Sequence, residues 1–175
     1  MMSLLFALAL SQNPAPKQPD LVLSVGCSSR ANEVVLTIRN PATTDTAVLL
    51  GYALGNGLRY LPREFIVEIK RDGNADFEQL LYNGTPSGIA GRIDHWIVTL
   101  PASASFVLPL RATEFSANVP GFRILTGPPE ELRVRLTAQA ITSDLSLDMA
   151  GMKLWRLWTG TAVSNSLRVA AECTR

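Results

Sequence analysis

Hydrophobic and polar residues alternate along several short stretches of this chain. The clearest case is residues 131–141, where Leu132, Val134 and Leu136 share one parity and Arg133 and Arg135 share the other. Successive side chains of a β-strand point to opposite faces, so this alternation predicts a strand with one buried and one solvated face. We therefore expect a long antiparallel strand here, with its hydrophobic side on the core.

Further stretches carry a strand pattern of alternating or continuous hydrophobic residues. They cover residues 21–27, 33–40, 46–53, 65–70, 77–82, 93–100, 105–111, 153–158 and 166–173. Turn-forming glycine, proline and asparagine residues separate many of them, and no long amphipathic helix pattern intervenes. About ten short strands are typical of an all-β fold, and we expect an immunoglobulin-like antiparallel β-sandwich.

Short connections and one proline refine the expected order of strands. Only four residues separate the stretch 93–100 from the stretch 105–111, which predicts a β-hairpin. Pro109 lies inside the second stretch, and because proline cannot donate to a ladder we expect an edge strand or a bulge there. Residues 160–165 are expected to turn into the last strand, and residues 112–125 show no clear element.

The chain contains two cysteines, Cys27 and Cys173. Each one ends a strand pattern, on the parity of the hydrophobic residues. Parallel neighbours bring such strand ends together, within the short Cα separation that a disulfide requires. We therefore expect the first and last strands to lie side by side in parallel, joined by a Cys27–Cys173 disulfide. Two buried, unpaired thiols are the alternative.

The first residues have the pattern of a secretory signal peptide. Residues 1–11 hold a short hydrophobic run that ends in a small-x-small cleavage pattern, although no Lys or Arg precedes it. Residues 12–20 form a proline-rich spacer, and residues 21–175 are expected to form a single domain. A frayed hydrophobic N-terminus of a cytosolic protein and a lipid anchor on Cys27 are the alternatives. Export together with paired cysteines predicts a periplasmic or extracellular location.

Composition limits the classes of partner. The chain has 175 residues, of which 47% are hydrophobic and 18% charged, and its formal net charge is +1. This is a globular composition in a chain long enough to bury a sizeable core. A near-neutral chain lacks the basic surface that nucleic acid or an anionic membrane requires, so we expect neither as a partner. We also expect no integral membrane segment in the mature form.

Turn chemistry in the middle half of the chain resembles that of a known class of domain. An alternating strand runs into an Asn-Pro turn at Leu36-Thr37-Ile38-Arg39-Asn40-Pro41, residues 65–73 end in an Asp-Gly turn, and Thr99-Leu100-Pro101 leads to Phe106-Val107-Leu108. This order is similar to that of bacterial secreted immunoglobulin-like domains, including the BsuPI-type proteinase-inhibitor domains first described in bacilli. The resemblance implies a fold and transfers no active residues.

Residues that could carry catalysis are sparse. His95 is the only histidine, which excludes a zinc site of several histidines. Asp94 precedes it in a predicted strand, so the two side chains point to opposite faces and Asp94 cannot orient the imidazole directly. Asp144 and Asp148 lack the ligand-rich loop of a calcium site. We therefore expect no enzymatic activity, no metal and no cofactor; a hydrolase that pairs His95 with a distant acid is the alternative.

The most unusual local composition is Trp155-Arg156-Leu157-Trp158. In an extended segment Trp155 and Trp158 face opposite sides, so one ring can lie in the core while the other is exposed. An exposed tryptophan beside Arg156 suits contact with a protein or a glycan, which makes Trp155, Arg156 and Trp158 the candidate binding surface. Packing of both tryptophans in or over the core is the alternative.

These observations together favour an exported, non-catalytic binding domain whose protein partner the sequence does not identify. An inhibitor-like role is one version of this hypothesis, and it rests on the resemblance alone. The loops at residues 40–45 and 83–92 are further candidates for binding, because sandwiches present their loops at the ends. A structural or accessory component of a cell-envelope assembly is the alternative, and an enzyme is the third hypothesis.

Overall fold

The computed structural model describes residues 20–30, 33–54, 59–71, 75–82, 93–111, 114–116, 131–138, 157–168 and 173. These residues form twelve β-strands and no α-helix: β1 Val22–Cys27, β2 Glu33–Arg39, β3 Thr46–Leu54, β4 Arg59–Leu61, β5 Phe65–Lys70, β6 Glu78–Tyr82, β7 Ile93–Leu100, β8 Ser105–Arg111, β9 Phe115–Ser116, β10 Glu131–Ala138, β11 Gly160–Val163 and β12 Leu167–Arg168. Every pairing between these strands is antiparallel, which confirms the all-β prediction.

A bent two-stranded ribbon organises half of the fold. β2 pairs with β8 as far as Arg39↔Ser105, and β3 pairs with β7 from Thr46↔Leu100 onwards. The same two segments of chain thus pair twice, first in the sheet β1-β2-β8 and then in the sheet β4-β3-β7. The ribbon bends at two short links, residues 40–45 between β2 and β3 and residues 101–104 between β7 and β8. The two three-stranded sheets are therefore successive parts of one antiparallel arrangement.

This bend makes the expected hairpin between residues 93–100 and 105–111 wrong. β7 pairs with β3 and β8 pairs with β2, so the link between them crosses from one sheet to the other. Ser103 in that link has a φ of 62°, a left-handed conformation that non-glycine residues seldom adopt. The edge position expected for Pro109 is confirmed, since β8 has β2 as its one strand partner among the described residues.

Asn40 connects the two links at the bend. Its side chain is fully buried, and Nδ2 donates to the carbonyl oxygens of Thr44 at 2.9 Å, Leu100 at 3.1 Å and Pro101 at 3.1 Å. Its backbone N–H donates to the carbonyl oxygen of Ala104 at 2.9 Å. A buried amide is stable only when its polar atoms are paired, so this one residue satisfies both links and sets the bend.

The larger sheet has the order β11-β10-β5-β6-β9, and β12 also pairs with β10. Between β11 and β12 the chain carries one residue more than the facing part of β10, which makes a β-bulge at Ser164, Asn165 and Ser166. Ser164 fills the gap: its backbone N–H donates to the carbonyl oxygen of Val134 at 2.9 Å, and its Oγ accepts from the N–H of Val134 at 2.9 Å. The expected turn at residues 160–165 is therefore wrong, because strand and bulge occupy it.

One hydrophobic cluster joins all three sheets in the described part of the chain. Leu36 of β2, Val48 of β3 and Val134 of β10 have no exposed surface and lie in it. β10 alternates buried and half-buried residues along its whole length, with Leu132 and Leu136 buried, as its sequence pattern predicts. Burial of each such side chain contributes about 2 kcal/mol, so this shared cluster is what holds the sheets together.

Cys27 and Cys173 form a disulfide, with their Cα atoms 5.3 Å apart, which confirms the predicted pair. The parallel ladder that we expected beside it is not found among the described residues: β1 pairs with β2, and β12 pairs with β10. Asn165 takes its place, since its side chain bonds to the N–H of Val25 at 2.8 Å and to the carbonyl oxygen of Val25 at 3.1 Å.

Several predictions concern residues outside the described ranges. They are the signal peptide at 1–11, all but the last residue of the spacer at 12–20, the loop at 83–92, and the segment 139–156 with Asp144, Asp148, Trp155 and Arg156. No helix in the described part of the chain is long and hydrophobic enough to cross a membrane.

Candidate binding surface

Two exposed tyrosines lie on one of the three sheets. Tyr52 is 36% exposed and Tyr60 is 48% exposed, and both belong to the sheet β4-β3-β7. The other large hydrophobic side chains that are exposed in the described part of the chain are distributed over all three sheets: Val22, Ile93, Val107 and Val163. Single exposed hydrophobic residues are normal on a protein surface, so the ring contacts of each tyrosine decide whether it marks a contact site.

Tyr60, Trp96 and Phe106 form a continuous series of rings, which we call the aromatic row. The ring centroids of Tyr60 and Trp96 are 4.7 Å apart, and those of Trp96 and Phe106 are 6.5 Å apart. Trp96 and Phe106 are half-buried and pack against the core, while Tyr60 is 48% exposed. The exposed ring of Tyr60 thus contacts the ring of Trp96, which the core holds in place. Because this contact already restricts the Tyr60 side chain, binding of a partner costs little further side-chain entropy.

Gly51 explains how Tyr60 and Trp96 meet across the central strand. Tyr60 lies on β4 and Trp96 on β7, and Gly51 of β3 is the register partner of Trp96. The register shifts by one residue just before this glycine, which has a φ of +146°. A Cβ here would overlap the carbonyl oxygen of Leu61, so only glycine allows the backbone of β4 to approach β3 this closely.

The opposite face of the same sheet carries a second aromatic pair. Tyr52 and His95 are register partners, and their ring centroids are 5.5 Å apart. Asp94 is the register partner of Ala53, so alternation places Asp94 and His95 on opposite faces, as their sequence positions predict. His95 is therefore held by an aromatic contact on a surface and is not oriented by Asp94.

Glu64 lies close enough to His95 for the two charges to interact. Burial raises the pKa of the Glu64 carboxyl above its ordinary value of 4.5, because desolvation penalises the charged form, and the positive charge of His95 lowers that pKa in opposition. The backbone of Glu64 also joins two sheets: its N–H donates to the carbonyl oxygen of Leu50 and its carbonyl oxygen accepts from Thr137. No local sequence pattern predicts this proximity, because Glu64 and His95 are distant along the chain.

A charged group on the larger sheet is closed to ligands by its own pairing. The carboxylate of Glu68, which is 6% exposed, lies 2.7 Å from a nitrogen of Arg133 and 2.7 Å from a nitrogen of Arg135. The guanidinium of Arg133 also lies 3.7 Å from the ring centroid of Phe77. Because both guanidinium groups are committed to the buried carboxylate, we assign this group a structural role.

Of the surface predicted from sequence, only Trp158 lies in the described part of the chain. Trp158 is 3% exposed and belongs to the core. Its backbone N–H donates to the carbonyl oxygen of Ala47 at 2.7 Å. The packed alternative thus applies to this residue, and it cannot contact a partner in this state. The aromatic row was missed because Tyr60 lies in a segment without a clear strand pattern, so nothing local linked it to Trp96.

The described residues hold no group of three or more His, Cys, Asp or Glu side chains that could bind a metal ion. No family model matches the chain, and neither a curated protein nor a solved structure has significant similarity to it.

Proposed function

We propose that this chain is an exported, immunoglobulin-like domain that binds a protein partner through the aromatic row. The disulfide between Cys27 and Cys173 supports export, because such bonds persist in oxidising compartments and are rare in the cytosol. Antiparallel sheets around a shared core support the sandwich architecture. A periplasmic or extracellular location is part of this proposal, and the disulfide is the observation that supports it.

The single observation that carries the binding role is the contact between Tyr60 and Trp96. An aromatic side chain that is 48% exposed and lies 4.7 Å from a core-anchored ring is already in a fixed position. Tyrosine and tryptophan are the residues most enriched among those that dominate binding energy at protein interfaces. The near-neutral net charge of +1 indicates that such binding depends on surface shape and aromatic contact more than on long-range electrostatic attraction.

Replacement of Tyr60 by alanine tests the proposal directly. The wild-type chain, Tyr60→Ala and the control Val163→Ala are immobilised and exposed to the same extract of the cell envelope and extracellular medium. Val163 is a matched control because it is 47% exposed and lies on β11, in another sheet. We expect immobilised Tyr60→Ala to capture at least about tenfold less of a specific protein than the wild-type chain does. The reason is that an aromatic residue central to an interface contributes about 2 kcal/mol or more to the free energy of binding.

The same experiment separates the competing hypotheses. Equal capture by Tyr60→Ala and wild type would contradict binding through the aromatic row. Retention of a polysaccharide in place of a protein would contradict a protein partner. Recovery of the chain in a large membrane-associated complex, unaffected by Tyr60→Ala, would favour the structural component of an envelope assembly.

Export is tested separately by fractionation. We expect the chain in the periplasm or the medium, with a mature N-terminus at Gln12, the first residue after the predicted signal peptide. Retention in the cytosol with an intact N-terminus would contradict the proposed location.

A further inference from the structure

The two cysteines of the disulfide differ in their accessibility. Cys27, the last residue of β1, is exposed, whereas Cys173 is half-buried and packs against the hydrophobic core. We propose that Cys27 is a site of thiol–disulfide exchange, at which a small thiol attacks while the domain remains folded. This inference is independent of the binding role of the aromatic row.

Exchange at this bond has a defined direction. The attacking thiolate must approach the target sulfur in line with the S–S bond, from the side opposite the leaving sulfur, so access to the target decides which cysteine reacts. A thiolate that attacks the sulfur of Cys27 forms a mixed disulfide there, and the electron pair of the broken bond leaves with Cys173 as a thiolate. No external oxidant or reductant other than the attacking thiol is required, and return of the Cys173 thiolate to Cys27 reverses the step.

A charged group lies close to Cys27 along the ladder of β1 and β2. Arg30 and Arg111 lie 3.9 Å and 4.0 Å from the same carboxylate oxygen of Glu33, whose side chain is only 7% exposed. The two guanidinium groups are 73% and 63% exposed, so two positive charges reach solvent around one buried negative charge. Glu33 adjoins Val34, the register partner of Cys27, so alternation places the Glu33 side chain on the face of β2 opposite to Cys27. These charges therefore do not select the charge of the attacking thiol. Glutathione is used as the probe because it is a small thiol.

The fold has a second tie that remains when the disulfide opens. Asn165 bonds to both backbone polar groups of Val25, two residues before Cys27. β1 also keeps its complete antiparallel ladder with β2, and Leu23 and Val25 stay in the core. We therefore expect the opened chain to keep its sheets, so that the Cys173 thiolate stays near Cys27 and the bond can form again.

The test uses the full chain with reduced glutathione under native conditions, followed by alkylation and peptide mapping by mass spectrometry. We expect glutathione on Cys27 and the alkyl group on Cys173, with several-fold less of the opposite pattern. The rate should increase linearly with glutathione concentration. The far-ultraviolet circular dichroism of the adduct should match that of the untreated chain.

A core variant distinguishes attack on the folded chain from attack after unfolding. Leu36→Ala creates a cavity at a residue with no exposed surface and so increases the unfolded fraction. We expect it to leave the exchange rate within about twofold of wild type, as direct attack on the native bond does not require unfolding. Three results would each overturn the proposal. The first is an exchange rate of Leu36→Ala that increases in proportion to the unfolded fraction. The others are glutathione labelling of Cys173 that equals or exceeds that of Cys27, and an adduct without sheet structure.

Discussion

Asn165 bonds to both backbone polar groups of Val25, accepting from its N–H at 2.8 Å and donating to its carbonyl oxygen at 3.1 Å. A neighbouring β-strand would satisfy the same two groups with its own backbone. β1 has β2 as its one strand partner among the described residues, so the amide of Asn165 covers part of an otherwise unpaired edge. Unpaired edges promote aggregation, and natural proteins protect them in specific ways.

Replacement of Asn165 by alanine should lower the free energy of unfolding by about 1–3 kcal/mol, because the N–H and carbonyl of Val25 lose their partner. Urea denaturation measures the change, and faster hydrogen exchange of the Val25 amide should accompany it. Asn165→Asp keeps the acceptor and loses the donor, so we expect an intermediate effect. Ser166→Ala, at an exposed neighbouring position, is the control and should be nearly neutral.

Replacement by alanine should destabilise the chain at one glycine of this fold and be tolerated at another. Gly51→Ala should destabilise the chain by about 1–3 kcal/mol or more, since φ is +146° and a Cβ would overlap the carbonyl oxygen of Leu61. Gly26→Ala is the matched control on β1, where a Cβ would have no atom within 4 Å. Thermal unfolding of both variants checks the prediction. Similar melting temperatures for the two would show that the bulge at Gly51 is not required.

Asn40 should be intolerant of substitution because it pairs with both links at the bend. Asn40→Ala leaves the carbonyl oxygens of Leu100 and Pro101 without this donor, and we expect a loss of about 2–4 kcal/mol in the free energy of unfolding. Asp45→Ala removes one exposed hydrogen bond to Ala102 in the same region and should cost less than about 1 kcal/mol. Equal losses in the two variants would contradict the central position of Asn40.

Glu64 should give the stability of the chain a pH dependence of known sign. Because its pKa is raised in the folded state, its contribution to stability is complete below the unfolded pKa of about 4.5 and is lost as pH rises through the folded pKa. Glu64→Gln lacks this loss, so the stability of wild type relative to the variant should fall between pH 4 and neutral pH. The effect should be small, since solvent screens a group that is only partly buried. A titration of both variants by chemical denaturation measures it.

His95 provides the matching variant. His95→Gln removes the positive charge that lowers the pKa of Glu64. In the pH range in which histidine is charged, the pKa of Glu64 should therefore be higher in the variant than in the wild type. Carbon-detected nuclear magnetic resonance of the Glu64 carboxyl would measure the shift directly. An unchanged pKa would mean that the two groups do not interact in solution.

Much of this fold could be predicted from alternation alone, because alternation is a local property. β10 has the buried positions that its sequence pattern predicts, and β7 and β8 have the predicted bounds. β4, β9 and β11 have two to four residues each, too few to show a period of two, and no strand was expected at any of them. Strand existence was thus predictable where the strand is long.

Strand partners and the candidate site were less predictable, because both depend on residues far apart in sequence. The link from β7 to β8 has the length of a hairpin loop, but the buried amide of Asn40, which is distant in sequence, bonds to it where it crosses between two sheets. Trp158 was placed on a candidate surface for its unusual neighbours, yet its position beside Ala47 in the fold buries it. Tyr60 reaches Trp96 only because a glycine lies between them on the central strand.

The disulfide spans a sequence separation of 146 residues, so the chain between its cysteines is a closed covalent circle. A protease that makes one cut inside this circle opens it without dividing the molecule. Such nicked protein should migrate as one species on a gel without reductant and as two fragments after reduction. Damage to a surface loop would therefore leave both parts of the fold tethered and able to reassemble.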